Sequence, residues 1–264
     1  MHERPQRALF DALRQLGCRV DSPNDKFPAL ISTAGAQHGA SVRVSIAESS
    51  QFASGLMLAG YRVVVDGGDP EEQAYLRMTS EMIRDFPVQG GRYVVEPDAS
   101  SASYFWGAAW LLPDCRIRIA NWMERSLQID ARFPQLLRQF PSRLSRQTDL
   151  GDSIMTAIVL APFATEPKQF VDLGRLRVQE CERVYALKTE LLKCGANVVE
   201  SGDALTVYPG ALHGATIHTY GDHRIAMAFG VLSAVSGGAI TVDDPECAIV
   251  SFPGFWELLS HVTR

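Results

Sequence analysis

Strand-like and helix-like segments alternate along the whole of this chain. That cadence restricts it to layered α/β or α+β architectures. Residues 7–16 place Leu9, Phe10, Leu13 and Leu16 at helical spacing. Extended stretches follow at 29–33 and 42–46, then a helix over 49–58 with Ser49 or Ser50 as N-cap. Residues 61–65 are strand-like and 71–86 helical. The theme repeats with a strand at 92–95, a helix at 98–112, a strand at 115–120 and helices at 130–140 and 152–163. A helix over 180–194 turns Val184, Leu187 and Leu191 inward and has Gly195 as its C-cap. Residues 196–200 and 204–207 pair as a hairpin around Gly202-Asp203. A helix over 222–235 and a strand over 239–242 follow, and residues 254–262 close the chain. Several of these helices open with Asp or Ser followed by small residues, so their first N–H groups suit phosphate or carboxylate.

With 264 residues and 46% hydrophobic content, the chain is large enough for one large or two modest domains. The Gly-rich stretch Gln89-Gly90-Gly91 is the best boundary, which separates 1–91 from 92–264. A net charge of −5 without a strongly basic stretch argues against nucleic acid or anionic membrane as partners. Acidic substrates would need local arginines and lysines instead. Residues 1–16 have no signal-peptide character, and the longest apolar run, 154–164, contains Pro162 and suits a core helix. The five cysteines are odd in number, widely spaced and free of a CxxC, and the six histidines lack metal-ligand spacing. Reduced thiols, a cytoplasmic location and no metal are expected.

Collinear motifs run through nearly the whole sequence: Glu3-Arg4-Pro5, Ser49-Ser50-Gln51-Phe52, DASSASYF at 98–105, LRVQECER at 176–183 and GDHRIAM at 221–227. Asp244-Pro245-Glu246-Cys247 with Ser251-Phe252-Pro253 ends the series. In this order they resemble the C-terminal two-thirds of the EPSP synthase (3-phosphoshikimate 1-carboxyvinyltransferase) family. The resemblance implies an inverse α/β, barrel-like domain of repeated βαβαββ units over 92–264. A truncated relative, the remnant of the shikimate-3-phosphate-binding domain, is implied over 1–91. It also implies that the family's first substrate-binding segment lies outside this chain, or on a separate N-terminal half that partners it.

The family's reaction adds the 5-hydroxyl of shikimate 3-phosphate to phosphoenolpyruvate and then expels phosphate, without metal or organic cofactor. Both substrates are phosphorylated small molecules, which call for arginine and lysine clamps and for carboxylates that move protons. By resemblance, Asp152 accepts the hydroxyl proton, Glu180 protonates the methylene carbon and His223 lines the same cavity. Ser49, Ser50, Gln51 and Tyr75 match residues around the shikimate phosphate and ring. Arg183 and Arg224 match arginines that grip phosphoenolpyruvate.

The departures bear on turnover. Gln179 and Val250 stand where the family has substrate-binding lysines, Arg175 where it has asparagine, and Glu72 where a phosphate-contacting serine is expected. Read without the resemblance, Ser49, Ser50, Asp152 and Asp222 are plain helix caps, and Glu180 with Arg183 is a surface pair. His223 is then a structural histidine. An inactive descendant that binds a metabolite or protein, and one half of a split enzyme, are the alternative functions.

Overall fold

The computed structural model describes residues 5–263 apart from 48, 69, 113 and 124. Glu3 and Arg4 of the first motif, expected to resemble the family, lie outside the described residues. The chain divides into two compact units, Met1–Val94 and Val95–Arg264.

The first unit opens with α1 (Arg7–Gln15), whose Phe10 and Ala12 are buried. Strands β1 (Arg19–Asp21) and β2 (Leu30–Ser32) pair antiparallel. A β-α-β-α run follows: β3 (Ser41–Ser45), α2 (Gln51–Leu58), β4 (Arg62–Asp66) and α3 (Pro70–Asp85). β3 and β4 pair in parallel, with Val42 opposite Val63. Strand alternation sends Val42 and Val44 inward, where they meet Leu16, Ile46, Ala53, Leu56 and Leu76.

The second unit holds the larger core. It begins with α4 (Ala99–Leu111), capped by Asp98, whose carboxylate accepts from the Ser100 N–H. A 3-10 turn, Ile129–Arg132, leads into α5 (Phe133–Gln139). One complete β-α-β-α-β-β unit comes next: β5 (Arg143–Ser145), α6 (Ile154–Leu160), β6 (Lys168–Val171), α7 (Arg183–Lys193), β7 (Asn197–Ser201) and β8 (Ala204–Tyr208). Its sheet runs β5-β6-β8-β7, with β5 and β6 parallel and the other neighbours antiparallel. Gly202, at φ +58, supplies the positive φ that the two-residue β7–β8 turn needs at its first position. The chain ends with β9 (Ala215–Ile217), α8 (His223–Val235), β10 (Ile240–Val242) and α9 (Phe255–Val262), and β9 pairs parallel to β10.

α8 is apolar almost all round, and every residue from Ile225 to Leu232 is buried, so it forms the central post of the unit. α4 packs close to α6. A Cβ on Gly107 would sit 3.1 Å from Leu160 Cδ1, and the Ser103 and Thr156 hydroxyls hydrogen-bond at 2.8 Å. Among the described residues no helix is long and apolar enough to cross a membrane.

The structure corrects several sequence expectations. Residues 92–95 and 115–120 form no strand. Ile117 and Ile119 still pack against the core, but no described strand lies alongside to complete a ladder. The helix expected over 130–140 begins as a 3-10 turn, with Pro134 at the start of α5 proper. Pro162 likewise converts the end of the 152–163 helix into the 3-10 turn Ala161–Phe163. Glu180 does not open α7: it lies in the preceding bend, and Glu182 is the cap, accepting from the Tyr185 N–H. The sequence pattern does not mark the short strands β1, β5, β6 and β9.

Candidate functional site

The start of α8 organises the second unit's polar cluster. Tyr220 and Gly221 both adopt left-handed backbone, at φ 56 and φ 64, and turn the chain into Asp222. The Tyr220 hydroxyl donates to buried Glu190 at 3.0 Å, which holds a conformation that a tyrosine rarely adopts. Asp222 caps α8 by accepting from the Arg224 N–H at 2.8 Å. Its two carboxylate oxygens also accept from Arg183, at 2.7 Å from Nε and 3.2 Å from Nη2. Arg183, the first residue of α7, is 1% exposed, and Asp222 is fully buried. The same guanidinium reaches Glu180 at 2.7 Å and donates to the Gln179 side-chain oxygen.

A second group forms where α6 begins. Asp152 faces Arg224 at 3.1 Å and Arg146 at 2.8 Å, one guanidinium to each carboxylate oxygen. Beneath it, buried Asp130 accepts from the Gly151 N–H at 2.8 Å, from the Ser153 N–H at 3.1 Å and from the Ser100 and Ser153 hydroxyls. Asp130 thus ties the start of α4 to the loop that presents Asp152.

Electrostatics set the ionic states. Burial pushes the Asp152 carboxyl up, but Arg224, Arg146 and Arg183 outweigh it and hold the group well below the usual carboxylate range. Burial also opposes ionisation of Asp222, and its bonds to Arg183 again hold it down. Burial raises Asp130, with its serine donors as a partial offset. His223 is lowered by burial and then by Arg224, so it is neutral at physiological pH. The Cys181 thiol is pushed up to about 12 by burial and by Asp222, and so carries no thiolate character. Ionised carboxylates and guanidiniums therefore alternate here, an arrangement that can hold an anion while it moves a proton.

In the first unit the Ser50 N–H, at the start of α2, donates to the carboxylate of Glu72 from α3. Glu72 is 2% exposed. Ser50 makes no side-chain cap, and the Gln51 N–H donates to the Ser49 hydroxyl at 3.2 Å. Gln51 is exposed, and Tyr75 is half-buried on α3.

The structure brings Asp152, Glu180, Arg183, His223 and Arg224 together within the second unit. Ser49, Ser50, Gln51 and Tyr75 belong to the first unit. Sequence reasoning missed Arg146 and Asp130. Asp130 acts through residues 21 to 30 positions away, and its local signal, an acidic residue near a helix start, is shared by ordinary caps; Arg146 lies six residues before Asp152, and nothing in that spacing marks it as buried.

The sequence profile of EPSP synthase (3-phosphoshikimate 1-carboxyvinyltransferase) matches residues 1–89 and 78–259. The 3-phosphoshikimate 1-carboxyvinyltransferase of Psychromonas ingrahamii is 31% identical over 307 residues, covering 100% of this chain and 71% of the relative. That of Methanosphaerula palustris is 32% identical over 302 residues, covering 98% and 71%. Among solved structures, EPSP synthase from Acinetobacter baumannii superposes with a TM-score of 0.65 at 20% identity, over 99% of this chain and 71% of that one. The enolpyruvyl transferase NikO from Streptomyces tendae gives 0.59 at 13% identity, over 98% and 71%. The two structures establish the fold, and the profile with the sequence relatives establishes more: the chain belongs to the EPSP synthase family.

Proposed function

We propose that the second unit binds phosphoenolpyruvate at its arginine cluster and serves enolpyruvyl transfer to shikimate 3-phosphate. The supporting observation is the interleaving of Arg146, Arg183 and Arg224 with Asp152, Glu180 and Asp222 in one polar cluster. In this reading Arg224 grips the donor's phosphate or carboxylate, and Arg183 lends its charge from behind while it holds Glu180 and Asp222. The acceptor hydroxyl oxygen bonds to C2 of phosphoenolpyruvate while Asp152 takes its proton, and Glu180 delivers a proton to C3. The tetrahedral adduct then returns a C3 proton to the Glu180 carboxylate and expels phosphate, which restores the double bond. His223, neutral, lines the cavity.

Turnover is expected to be slow. Val250 is 82% exposed, and Gln179 spends its side-chain oxygen on Arg183, so neither supplies a cation. Each lost charge-assisted contact costs about 1.5–3 kcal/mol, roughly tenfold to a hundredfold. Phosphoenolpyruvate should raise the melting temperature by binding the folded state. Arg224→Ala should remove that rise. Phosphate release from phosphoenolpyruvate plus shikimate 3-phosphate should be low, and should increase with Gln179→Lys and Val250→Lys together. Absence of any thermal shift at millimolar phosphoenolpyruvate would sink the proposal.

A second reading rests on Glu72. Its carboxylate occupies the N–H at the start of α2, near Ser49 and Gln51, the residues assigned to the acceptor's phosphate by resemblance. A descendant that takes an acceptor without that phosphate, or none, fits this closure. Calorimetry decides between the readings: binding of shikimate 3-phosphate in preference to shikimate removes the second.

A further inference from the structure

Asp152 is gripped by two arginines that differ in access and in anchoring. Arg146 is only 2% exposed at its side chain, against 22% for Arg224. Arg146 follows directly on β5, and its N–H donates to the Val171 carbonyl at 3.1 Å, which continues the β5–β6 pairing. The turn after it is tied down: Ser145 N–H donates to Asp149 at 2.8 Å, and Gln147 N–H donates to the Ser145 hydroxyl at 3.2 Å. Arg224 sits on the first turn of α8 with a more open side chain, the accessible one of the two.

We propose that Arg146 is the fixed positioning residue of Asp152 and that Arg224 is its exchangeable partner. An incoming phosphate or carboxylate draws Arg224 away from Asp152. Arg146, which that anion cannot reach, then keeps Asp152 ionised and aimed. This explains a difficulty in the geometry. A proton acceptor held by two guanidiniums is a poor base, and removal of one by the substrate raises its basicity when the substrate arrives. Other charged and titratable groups near Asp152 include Arg183 from α7, Tyr104 from α4 and Asp130 from the 3-10 turn before α5, and His223 and Asp98 act on the neighbouring Arg224. Arg183 is committed to Asp222 and Glu180, and Asp130 to its serine and backbone donors, so neither replaces Arg146. The inference rests on the reading of Arg224 as an anion ligand.

The test follows the Asp152 carboxyl by carbon-13 NMR in the full chain, with Asp152→Asn to assign the signal and phosphoenolpyruvate as the added anion. In the unmodified chain the signal should show no titration midpoint above the acid unfolding of the protein. In Arg146→Gln it should titrate at higher pH, and higher again with phosphoenolpyruvate bound. Arg146→Lys should restore the original behaviour, a rescue that a purely structural role would not give. Affinity for phosphoenolpyruvate should fall on the order of tenfold in Arg146→Gln. If Arg146→Gln does not fold, Arg224→Gln carries the decision: the Asp152 midpoint should rise, Asp152 should remain ionised at neutral pH, and phosphoenolpyruvate should add no further rise. No rise in Arg224→Gln, an Asp152 already protonated at neutral pH in that variant, or no rise in a folded Arg146→Gln overturns the proposal. Failure of the unmodified chain to bind phosphoenolpyruvate removes the functional reading, while the anion-free titration still decides the role of Arg146.

Discussion

In the first unit, β3 and β4 lie parallel with α2 between them in sequence; in the second, β9 and β10 do the same around α8. The helix starts are served in different ways. α8 is capped by its own Asp222, which also neutralises a buried arginine. α2 has no side-chain cap, and the carboxylate at its start comes from Glu72 on the next helix. The burial of arginine also differs, although the second unit carries exposed pairs such as Arg177–Asp203 as well. Arg7 and Arg14 of the first unit meet Asp25 at the surface, whereas Arg146 and Arg183 of the second are enclosed with their carboxylates. One local plan thus hosts two electrostatic designs. A buried ion pair contributes little net stability over an apolar replacement, but removal of one partner is severe, because it strands the other.

The strongest way to break this comparison is Asp222→Ala. It would leave Arg183, 1% exposed, without its bidentate partner and α8 without its cap. The second unit should lose about 3–5 kcal/mol. All four tryptophans, Trp106, Trp110, Trp122 and Trp256, lie in that unit, so urea denaturation read by tryptophan fluorescence isolates it. A loss below about 1 kcal/mol would mean that water reaches Arg183 freely.

Acid should separate the units next. Asp152, Asp222 and Asp243 all titrate lower in the folded chain than in the unfolded one, Asp243 at about 2 through burial opposed by His218 and Thr219. Such groups contribute stability above the unfolded carboxyl value near 3.9, and lose it as pH falls through their folded values. Asp130, raised by burial, acts in the opposite sense, and its contribution is lost as pH rises. Glu200, lowered by its hydrogen bond to Arg177, joins the first three, and with four groups against one the second unit should weaken from about pH 4 downward. The slope approaches about 1.4 kcal/mol per pH unit for each net proton taken up. A tryptophan-monitored midpoint that is flat between pH 4 and pH 2 would contradict this.

Glu72→Ser probes the first unit. It removes a buried charge-assisted hydrogen bond, which costs about 1.5–3 kcal/mol, and frees the Ser50 N–H. Hydrogen exchange of α2 should quicken. Inorganic phosphate should then protect that helix in the variant and not in the unmodified chain. Equal protection in both would show that Glu72 does not close the position.

Which of these features a sequence can reveal depends on the range of the interaction. Asp98 and Asp222 are legible as caps because their acceptors serve N–H groups two residues on. The β7–β8 hairpin is legible because Gly202 marks a turn between two β-branched runs; the glycine stop of α7 is legible to within one residue, since the C-cap is Cys194 and Gly195 takes the positive φ of +88 just beyond it. The strand expected at 115–120 has the right alternation, but a strand exists only with a neighbour, and none lies beside it among the described residues. β5 and β6 fail in the reverse direction, since both are short and acquire their identity from each other across 26 residues, from Arg143 to Gln169. Glu72 reaches Ser50 across 22 positions, and Asp130 reaches Ser100 across 30. No local pattern encodes such pairs, and Arg146 is invisible for a different reason: it is only six residues from Asp152, but the fold alone decides that it is buried there.

The smallest expected effect sharpens the comparison by holding the chemistry constant. Arg7 and Asp25 form the same kind of pair as Arg183 and Asp222, with Nε 3.1 Å from the carboxylate, but Arg7 is 75% exposed. Asp25 is lowered by its hydrogen bond to Arg7, against burial, and Arg14 also approaches it. In water the freed carboxylate is rehydrated at once, Arg14 remains, and salt screens what is left. Arg7→Ala should therefore leave the hydrogen-exchange protection of β3 and α2 unchanged within error, at low and at high salt. A loss of protection at low salt that vanishes at high salt would show that the first unit depends on its surface charges, and that burial alone does not separate the two designs.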